Sequence, residues 1–180
     1  AKRIAQKNGE YVGSTAPYGY CVEKVNEIYK LIVEPESAKI VRRIFEEYAS
    51  GDGIQSIIDR LFEDGVHRIS DYNQYHHVYC QDGENLHQWG NSSIRAVLNR
   101  NNYYGDLVQR KYESRFQRGE KWCDILDESQ WIITPNAHEP IISRELFDKA
   151  QIRLKAAQQK ATKTTEGWED DERAFYNVFY

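Results

Sequence analysis

Apolar residues recur at helical spacing most clearly in the stretch that begins at Pro35. Proline is favoured in the first turn of a helix, and Glu36 beside it suits the positive end of the helix dipole. One face of this stretch carries five apolar residues, which are Ala38, Val41, Ile44, Phe45 and Tyr48. Gly51 follows and is suited to end a helix. The pattern predicts an amphipathic helix that buries this face.

Three further stretches predict shorter helices. Residues 53–63 carry an apolar side made of Ile54, Ile57, Ile58 and Leu61. Residues 91–99 have a narrow apolar stripe and begin with Asn91 or Ser92 as N-cap. Ser143 is placed to cap a last helix that runs to about Gln159, with apolar positions at Leu146, Phe147, Ala150, Ile152 and Leu154.

The remaining patterns predict strands and one long loop. Residues 20–22 and 29–33 are β-prone and fit a small hairpin, and residues 103–112 and 130–133 read as two more strands. Residues 66–88 are polar, rich in Tyr and His, and show no regular period, which predicts a surface loop. The fold class predicted from these elements is α+β, with a helix-turn-helix-like helical body, a small antiparallel β-sheet and a C-terminal helix.

Composition excludes several classes of protein. The chain has 180 residues, 40% of them hydrophobic, so it can bury an ordinary core in one domain. No apolar run approaches the length of a membrane span, and no secretory signal is present, so we expect a cytoplasmic protein without membrane contact. Its 3 cysteines include no closely spaced pair, which argues against a disulfide framework and against a zinc ribbon within these residues.

The net charge of −4 is at first sight unfavourable for a nucleic-acid partner. The charge is unevenly distributed, however. Residues 91–121 contain 7 Lys or Arg against 3 Asp or Glu, whereas residues 161–180 contain 2 against 5. A cationic segment separated from an acidic one is what contact with phosphates requires. The total charge therefore does not count against DNA binding.

Two short helices in succession form the outline of a helix-turn-helix, in which the second helix presents its N-terminal residues to the DNA major groove. Here the bracing helix is 53–63 and the reading helix is 91–99. Asn91, Ser92, Ser93 and Arg95 then lie nearest to the base edges.

A series of motifs also resembles a known family, the recombinase domain of large serine recombinases, such as phage integrases and transposases of clostridial mobile elements. The resemblance covers residues 9–155. It lies in the order of the motifs GEYVG (9–13), APYGY (16–20), VEPE (33–36), AKIVRRIF (38–45), the isoleucine-rich helix, SIRAVLN (93–99), YYGD (103–106) and HEPIISRELF (138–147). Only the segment 66–88 departs, since it is longer and richer in Tyr and His than the family pattern suggests.

The resemblance implies a division of the chain and a role for it. Residues 1–15 are expected to be a basic linker from a missing catalytic domain, residues 16–160 the DNA-binding domain, and residues 161–180 an acidic linker leading to a missing zinc ribbon. The implied function is sequence-specific binding of double-stranded DNA at an attachment site or transposon end. The chain itself is expected to be non-catalytic, free of cofactor and monomeric, with the nucleophilic serine, the zinc and the dimer or tetramer contacts in the rest of the protein.

The candidate DNA-binding residues fall into three groups. Those expected along the backbone or minor groove are Lys2, Arg3 and Lys7. Those expected at the major groove are Ser92, Ser93 and Arg95. Those expected to hold phosphates are Arg100, Arg110 and Lys111.

Other residues of the chain are of types that suggest different chemistry. His76, His77, Cys80 and His87 are residue types that bind zinc, but their spacing matches no compact site, and we predict no metal site. Trp89 and Trp131 could stack on bases, yet their places beside a helix and a strand favour core packing. An alternative of a different class is a protein–protein interaction module, with a basic face for an acidic partner and the Tyr-rich loop as anchor.

Overall fold

Helices and short strands alternate along the computed structural model, which describes residues 2–7, 9–13, 15–114 and 123–159. The helices are α1 (Lys2–Lys7), α2 (Pro35–Ser50), α3 (Ile54–Glu63), α4 (Ile69–Tyr75), α5 (Asn91–Leu98) and α6 (residues 144–159), with 3₁₀ turns at Asn101–Tyr104 and Glu128–Gln130. The strands are β1 (Tyr20–Val25), β2 (Ile28–Val33), β3 (Leu107–Gln109), β4 (Tyr112–Ser114), β5 (Cys123–Ile125) and β6 (Ile132–Thr134). They pair antiparallel as β1 with β2, β3 with β6 and β4 with β5, so the α+β class is confirmed.

Helix α2 lies at the centre of the core and begins and ends as its sequence predicts. The carboxylate of Glu34 accepts a hydrogen bond of 2.7 Å from the backbone N–H of Ser37, and Pro35 occupies the first turn. Gly51 ends the helix with φ of 125°, a conformation that favours glycine. All five residues of the predicted apolar face are buried, which confirms the prediction.

Three helices surround the apolar face of α2. Helices α3 and α5 pack against α2 and against each other, and α6 adds its own buried residues Phe147, Ala150 and Leu154. The ring of Phe147 lies 6.0 Å from that of Phe45, centroid to centroid. The Ser143 hydroxyl accepts a hydrogen bond from the Leu146 N–H, so the predicted cap of α6 is confirmed, whereas Ile152 is exposed and takes no part in the core. No helix among the described residues combines the length and apolar character of a bilayer span.

The β1–β2 hairpin is longer than the β-prone runs predicted. Its strands pair from Tyr20 with Val33 to Val25 with Ile28. The turn consists of Asn26 and Glu27, both with positive φ (51° and 67°), the geometry that matches the twist of a two-residue hairpin. The residues beyond the predicted runs are the exposed, charged Glu23 and Lys24 and the half-buried Val25 and Ile28. The two charged residues interrupt the apolar pattern, so hydrophobicity alone underestimates the length of the strands.

The prediction of a surface loop for residues 66–88 is wrong. The segment contains α4 and an isolated bridge between Val66 and Tyr79, and it buries Val66, His67 and Val78. Helix α4 is short and packs only Ile69 and Tyr72 against the core, beside the buried Asp71, whose carboxylate pairs with Arg68 and His87. Two apolar positions next to a buried charge are too few to give a detectable hydrophobic period.

Three boundary predictions also need correction. Residues 103–112 are not one strand, because Tyr103 lies in a 3₁₀ turn, Gly105 bends the chain with φ of 97°, and Arg110, with φ of 58°, separates β3 from β4. Residues 130–133 are likewise divided between a 3₁₀ turn and β6. Helix α5 begins after Gly90, which makes no side-chain capping bond, rather than at a cap formed by Asn91 or Ser92.

His138 provides a test of how the loop before α6 is packed. Its ring lies against Tyr20 and its Nε2 is 2.7 Å from the Asn102 carbonyl oxygen. Burial lowers the pKa of His138 below its usual 6.5, against the smaller opposing effects of that hydrogen bond and of Asp106. A folded-state pKa below the unfolded value means that stability is lost as pH falls from 6.5 through the lowered pKa. We expect urea unfolding of His138→Gln to depend less on pH between about 7 and 5 than that of the wild type; equal pH dependence would contradict this packing.

Candidate nucleic-acid interface

Helix α5 has one buried side and one exposed side. Ile94, Val97 and Leu98 point into the core and fix the rotation of the helix. The opposite side exposes residues at helical spacing, which are Ser92, Arg95, Ala96 and Asn99, while Ser93 is half-buried at its edge. The Asn99 amide donates a 2.8 Å hydrogen bond to the Arg95 carbonyl oxygen and closes the last turn. The chain thus presents a small, polar helix face to solvent.

The C-terminal end of this face continues into an open groove of about 590 Å³. One wall consists of Ala96, Asn99 and Arg100 from the end of α5. The opposite walls are residues 11–13 with Thr15, and the residues of β3 with the turn that follows it. We call residues 10–13 and Thr15 the N-terminal arm. The helix face and the groove therefore form one continuous surface.

All three cations that were predicted to hold phosphates line this groove. Arg100, Arg110 and Lys111 all line it, although they come from two different parts of the chain. The Lys111 ammonium lies 4.8 Å above the ring of Trp131. Burial lowers the pKa of Lys111 below its usual 10.5, and the nearby Arg100 lowers it further. The nearby Glu128 opposes these two effects on the pKa. The described residues that line the groove include no Asp or Glu, so the charged side chains of its described lining are all cationic.

The side chain of Gln109 holds the N-terminal arm in place. Its amide oxygen accepts a hydrogen bond of 3.3 Å from the Val12 N–H, and its Nε2 donates one of 2.9 Å to the Glu10 carbonyl oxygen. The Tyr11 N–H donates to the Tyr29 carbonyl oxygen at 2.8 Å. The arm is thus paired on both edges, to β3 through a side chain and to β2 through the backbone.

The sequence did not indicate Gln109, Tyr11 or Asn99 as part of this surface. Gln109 is buried, and nothing in its neighbourhood along the chain marks it as a partner of residues almost one hundred positions away. Asn99 could have been found, because it lies at i+4 from Arg95 on the predicted helix. Tyr11 was visible only within a motif of the family resemblance.

The first group of predicted contacts, Lys2, Arg3 and Lys7, belongs to α1, and α1 contacts β6. The side chains of these three residues lie outside the described part of the structure. Three further cations of the cationic segment 91–121 also lie outside the described residues, which are Arg115, Arg118 and Lys121.

The structure does not bring together the four residues considered as zinc ligands from the sequence, which are His76, His77, Cys80 and His87. His77 lies beside His67 and Glu84, two residues that the sequence did not indicate as metal ligands. His87 instead pairs with Asp71 at 3.0 Å, and His76 is exposed at the end of α4. Trp89 is buried and packs edge-on against Tyr18, which confirms its predicted core position.

These observations define a class of protein: an α+β domain in which two packed helices, α3 and α5, carry an exposed polar helix face that leads into a cationic groove. Residues 35–157, more than half of the chain, match the family described as Recombinase. The chain therefore belongs to the Recombinase family, and the resemblance inferred from its motifs is confirmed.

Two solved structures share the fold. One, described as a crystal structure of an LSR–DNA complex, LSR standing for large serine recombinase, has 20% sequence identity and a TM-score of 0.50. The match covers 86% of this chain and 36% of that chain. The other, from work on the sequence requirements of the Listeria innocua prophage attP site, has 18% identity and a TM-score of 0.50, with 86% and 49% covered. The chain thus spans between about a third and a half of the proteins it resembles.

Proposed function

We propose that the chain is the duplex-DNA-binding module of a site-specific serine recombinase, and that it positions a separate catalytic domain for strand exchange. The observation that carries the proposal is the continuity of the exposed α5 face with a groove that contains three cations and, among its described lining residues, no carboxylate. Membership of the Recombinase family and the solved LSR–DNA complex with the same fold support it.

The proposed docking follows from the geometry of α5. Ser92, Ser93 and Arg95 near the start of the exposed face approach the edges of the bases in the major groove, where hydroxyl and guanidinium groups read sequence. Arg100, Arg110 and Lys111 at the other end take backbone phosphates. The N-terminal arm borders the same groove. Lys2, Arg3 and Lys7 come directly before the arm in the chain, and we propose that they follow the DNA backbone or minor groove.

The division of labour within a longer protein is also proposed. Residues 1–15 connect the module to a catalytic domain, and residues 161–180, which lie outside the described residues, lead to a zinc ribbon. The module then contributes affinity and position without a nucleophile of its own. Its partners are double-stranded DNA at an attachment site or transposon end and, through the other domains, further copies of the recombinase.

The test is the salt dependence of DNA binding by the chain and by Arg95→Gln/Arg110→Gln. If about four phosphates are neutralised, log affinity falls against log salt with a slope of roughly −3 to −4 between about 50 and 200 mM. We expect the double variant to lose specific binding to a duplex containing an end of its own mobile element. Fluorescence anisotropy with a scrambled duplex as competitor measures both quantities.

The matched control is Lys39→Gln/Lys149→Gln, which removes the same charge from two exposed positions outside the groove. We expect it to bind as the wild type does. An absent or salt-insensitive signal for the wild-type chain, or an equal loss in the control, contradicts the proposal. Unchanged binding by Arg95→Gln/Arg110→Gln favours the alternative of a protein–protein interaction module.

A further inference from the structure

We propose that His67, His77 and Glu84 form a zinc site that clamps the connection between α3 and α5. This connection, residues 64–90, contains the segment 66–88 that departs from the family motifs. The proposal also departs from the expectation that this part of the protein holds no metal. It is independent of DNA binding.

The three side chains converge on one point. The Nε2 atoms of His67 and His77 lie 3.0 Å and 2.9 Å from the Oε2 atom of Glu84, and the three candidate ligand atoms all lie within 4.8 Å of one another. Two imidazole nitrogens and a carboxylate oxygen are a donor set that zinc binds in proteins. A tetrahedral zinc ion with ligand bonds of about 2.0–2.2 Å needs nitrogen and oxygen about 3.4 Å apart, which is about 0.4 Å more than in the present arrangement.

The cluster is built into the fold rather than formed by exposed side chains. His67 is completely buried, and the side chains of His77 and Glu84 are 30% and 17% exposed. The ring of Tyr75 stacks on His67 at 5.0 Å, and the Nδ1 atom of His67 is buried without a hydrogen-bond partner. Among the described residues, the polar contact of the His67 ring is therefore the one between its Nε2 atom and Glu84. The cluster is closed on the side of the buried His67 and partly open on the side of His77 and Glu84, through which an ion can enter.

The backbone holds the three positions before any ion binds. The His67 N–H donates to the Val78 carbonyl oxygen at 2.8 Å, and the Cys80 N–H donates to the Gly65 carbonyl oxygen at 2.8 Å. The Gln81 N–H donates to Glu84 Oε2, also at 2.8 Å, which orients the carboxylate. His67 lies between α3 and α4, His77 follows α4, and Glu84 lies in the loop beyond, so one ion joins three points of the connection. Binding energy at such a site stabilises the folded state directly.

The experiment titrates zinc chloride into the full chain after dialysis against EDTA, by isothermal calorimetry, with bound zinc measured by mass spectrometry. We expect one equivalent of zinc and a melting temperature that rises with zinc and returns to its starting value on addition of EDTA. His77→Gln and Glu84→Gln, both at partly exposed positions, are expected to bind at least about ten times more weakly and to lose most of the zinc-dependent rise.

His76→Asn is the matched control. His76 is a neighbouring histidine outside the cluster, and its φ of 60° is one that asparagine tolerates. This variant should keep the site, and circular dichroism of each variant shows whether it folds without zinc. Absence of zinc binding by the wild type, or undiminished binding by folded His77→Gln and Glu84→Gln, overturns the proposal.

Discussion

Replacing Tyr103 by alanine is expected to lower the free energy of unfolding by about 3–5 kcal/mol, the cost of deleting a large buried aromatic side chain. The Tyr103 ring is 1% exposed and contacts the rings of Tyr20 and Phe45. Its hydroxyl donates a 2.9 Å hydrogen bond to the Tyr18 carbonyl oxygen. The residue thus connects the hairpin, α2 and the segment after α5, and equilibrium unfolding in urea measures the loss.

Tyr103→Phe separates packing from hydrogen bonding. This variant keeps the ring and leaves the buried Tyr18 carbonyl without the hydroxyl, which is expected to cost about 1–3 kcal/mol. The backbone oxygen of Tyr103 accepts bonds from the N–H groups of Ile141 and Ile142 and is unaffected by either change. If alanine and phenylalanine were equally destabilising, the packing contribution assigned to the ring would be wrong.

The second large effect is expected from Arg100→Gln/Arg110→Gln/Lys111→Gln. If each cation neutralises one phosphate, the magnitude of the salt slope falls by about 2.7, since each phosphate contact contributes about 0.9. Phosphate contacts carry no direct sequence information, so affinity should fall by a similar factor for the specific and the scrambled duplex. Anisotropy titrations of both duplexes at several salt concentrations measure this.

Arg95→Gln alone is the comparison for this triple variant. Loss of a base contact should reduce affinity for the specific duplex more than for the scrambled one, with a change in slope of about 1 or less. Because Lys111 also lies over Trp131, the folded fraction of the triple variant must be measured first. A triple variant that loses only specific binding would place these cations at the bases instead of the backbone.

The helical part of the fold could be predicted because its information is local. In α2 the apolar spacing, the proline at the start and Gly51 at the end all indicate the same helix, and the structure confirms each. Helix α4 could not be predicted, because it packs only Ile69 and Tyr72 against the core and its buried residue is Asp71. Asp71 pairs with Arg68 and with His87 sixteen positions later. A charged residue that turns inward is invisible to a pattern of apolar positions.

The candidate site shows the same limit. The basic residues at 100, 110 and 111 were evident from the sequence, but their meeting in one groove depends on the positive φ of Arg110 and on the packing of β3 beside the end of α5. The cluster of His67, His77 and Glu84 depends on the bridge between Val66 and Tyr79. In both cases the side chains are brought together by a local backbone feature, the positive φ of Arg110 or the isolated bridge, which the sequence pattern does not predict.

The pairing of Gln109 with Glu10 and Val12 has a consequence for the geometry of a larger assembly. Residues 10–12 leave the module in a direction set by β3 and β2 and not by the flexibility of the chain. The orientation of any domain attached before α1 would therefore depend on this buried glutamine amide together with the contact of α1 with β6. The distance and angle between this module and such a domain would then be determined in part by a side chain buried within the module.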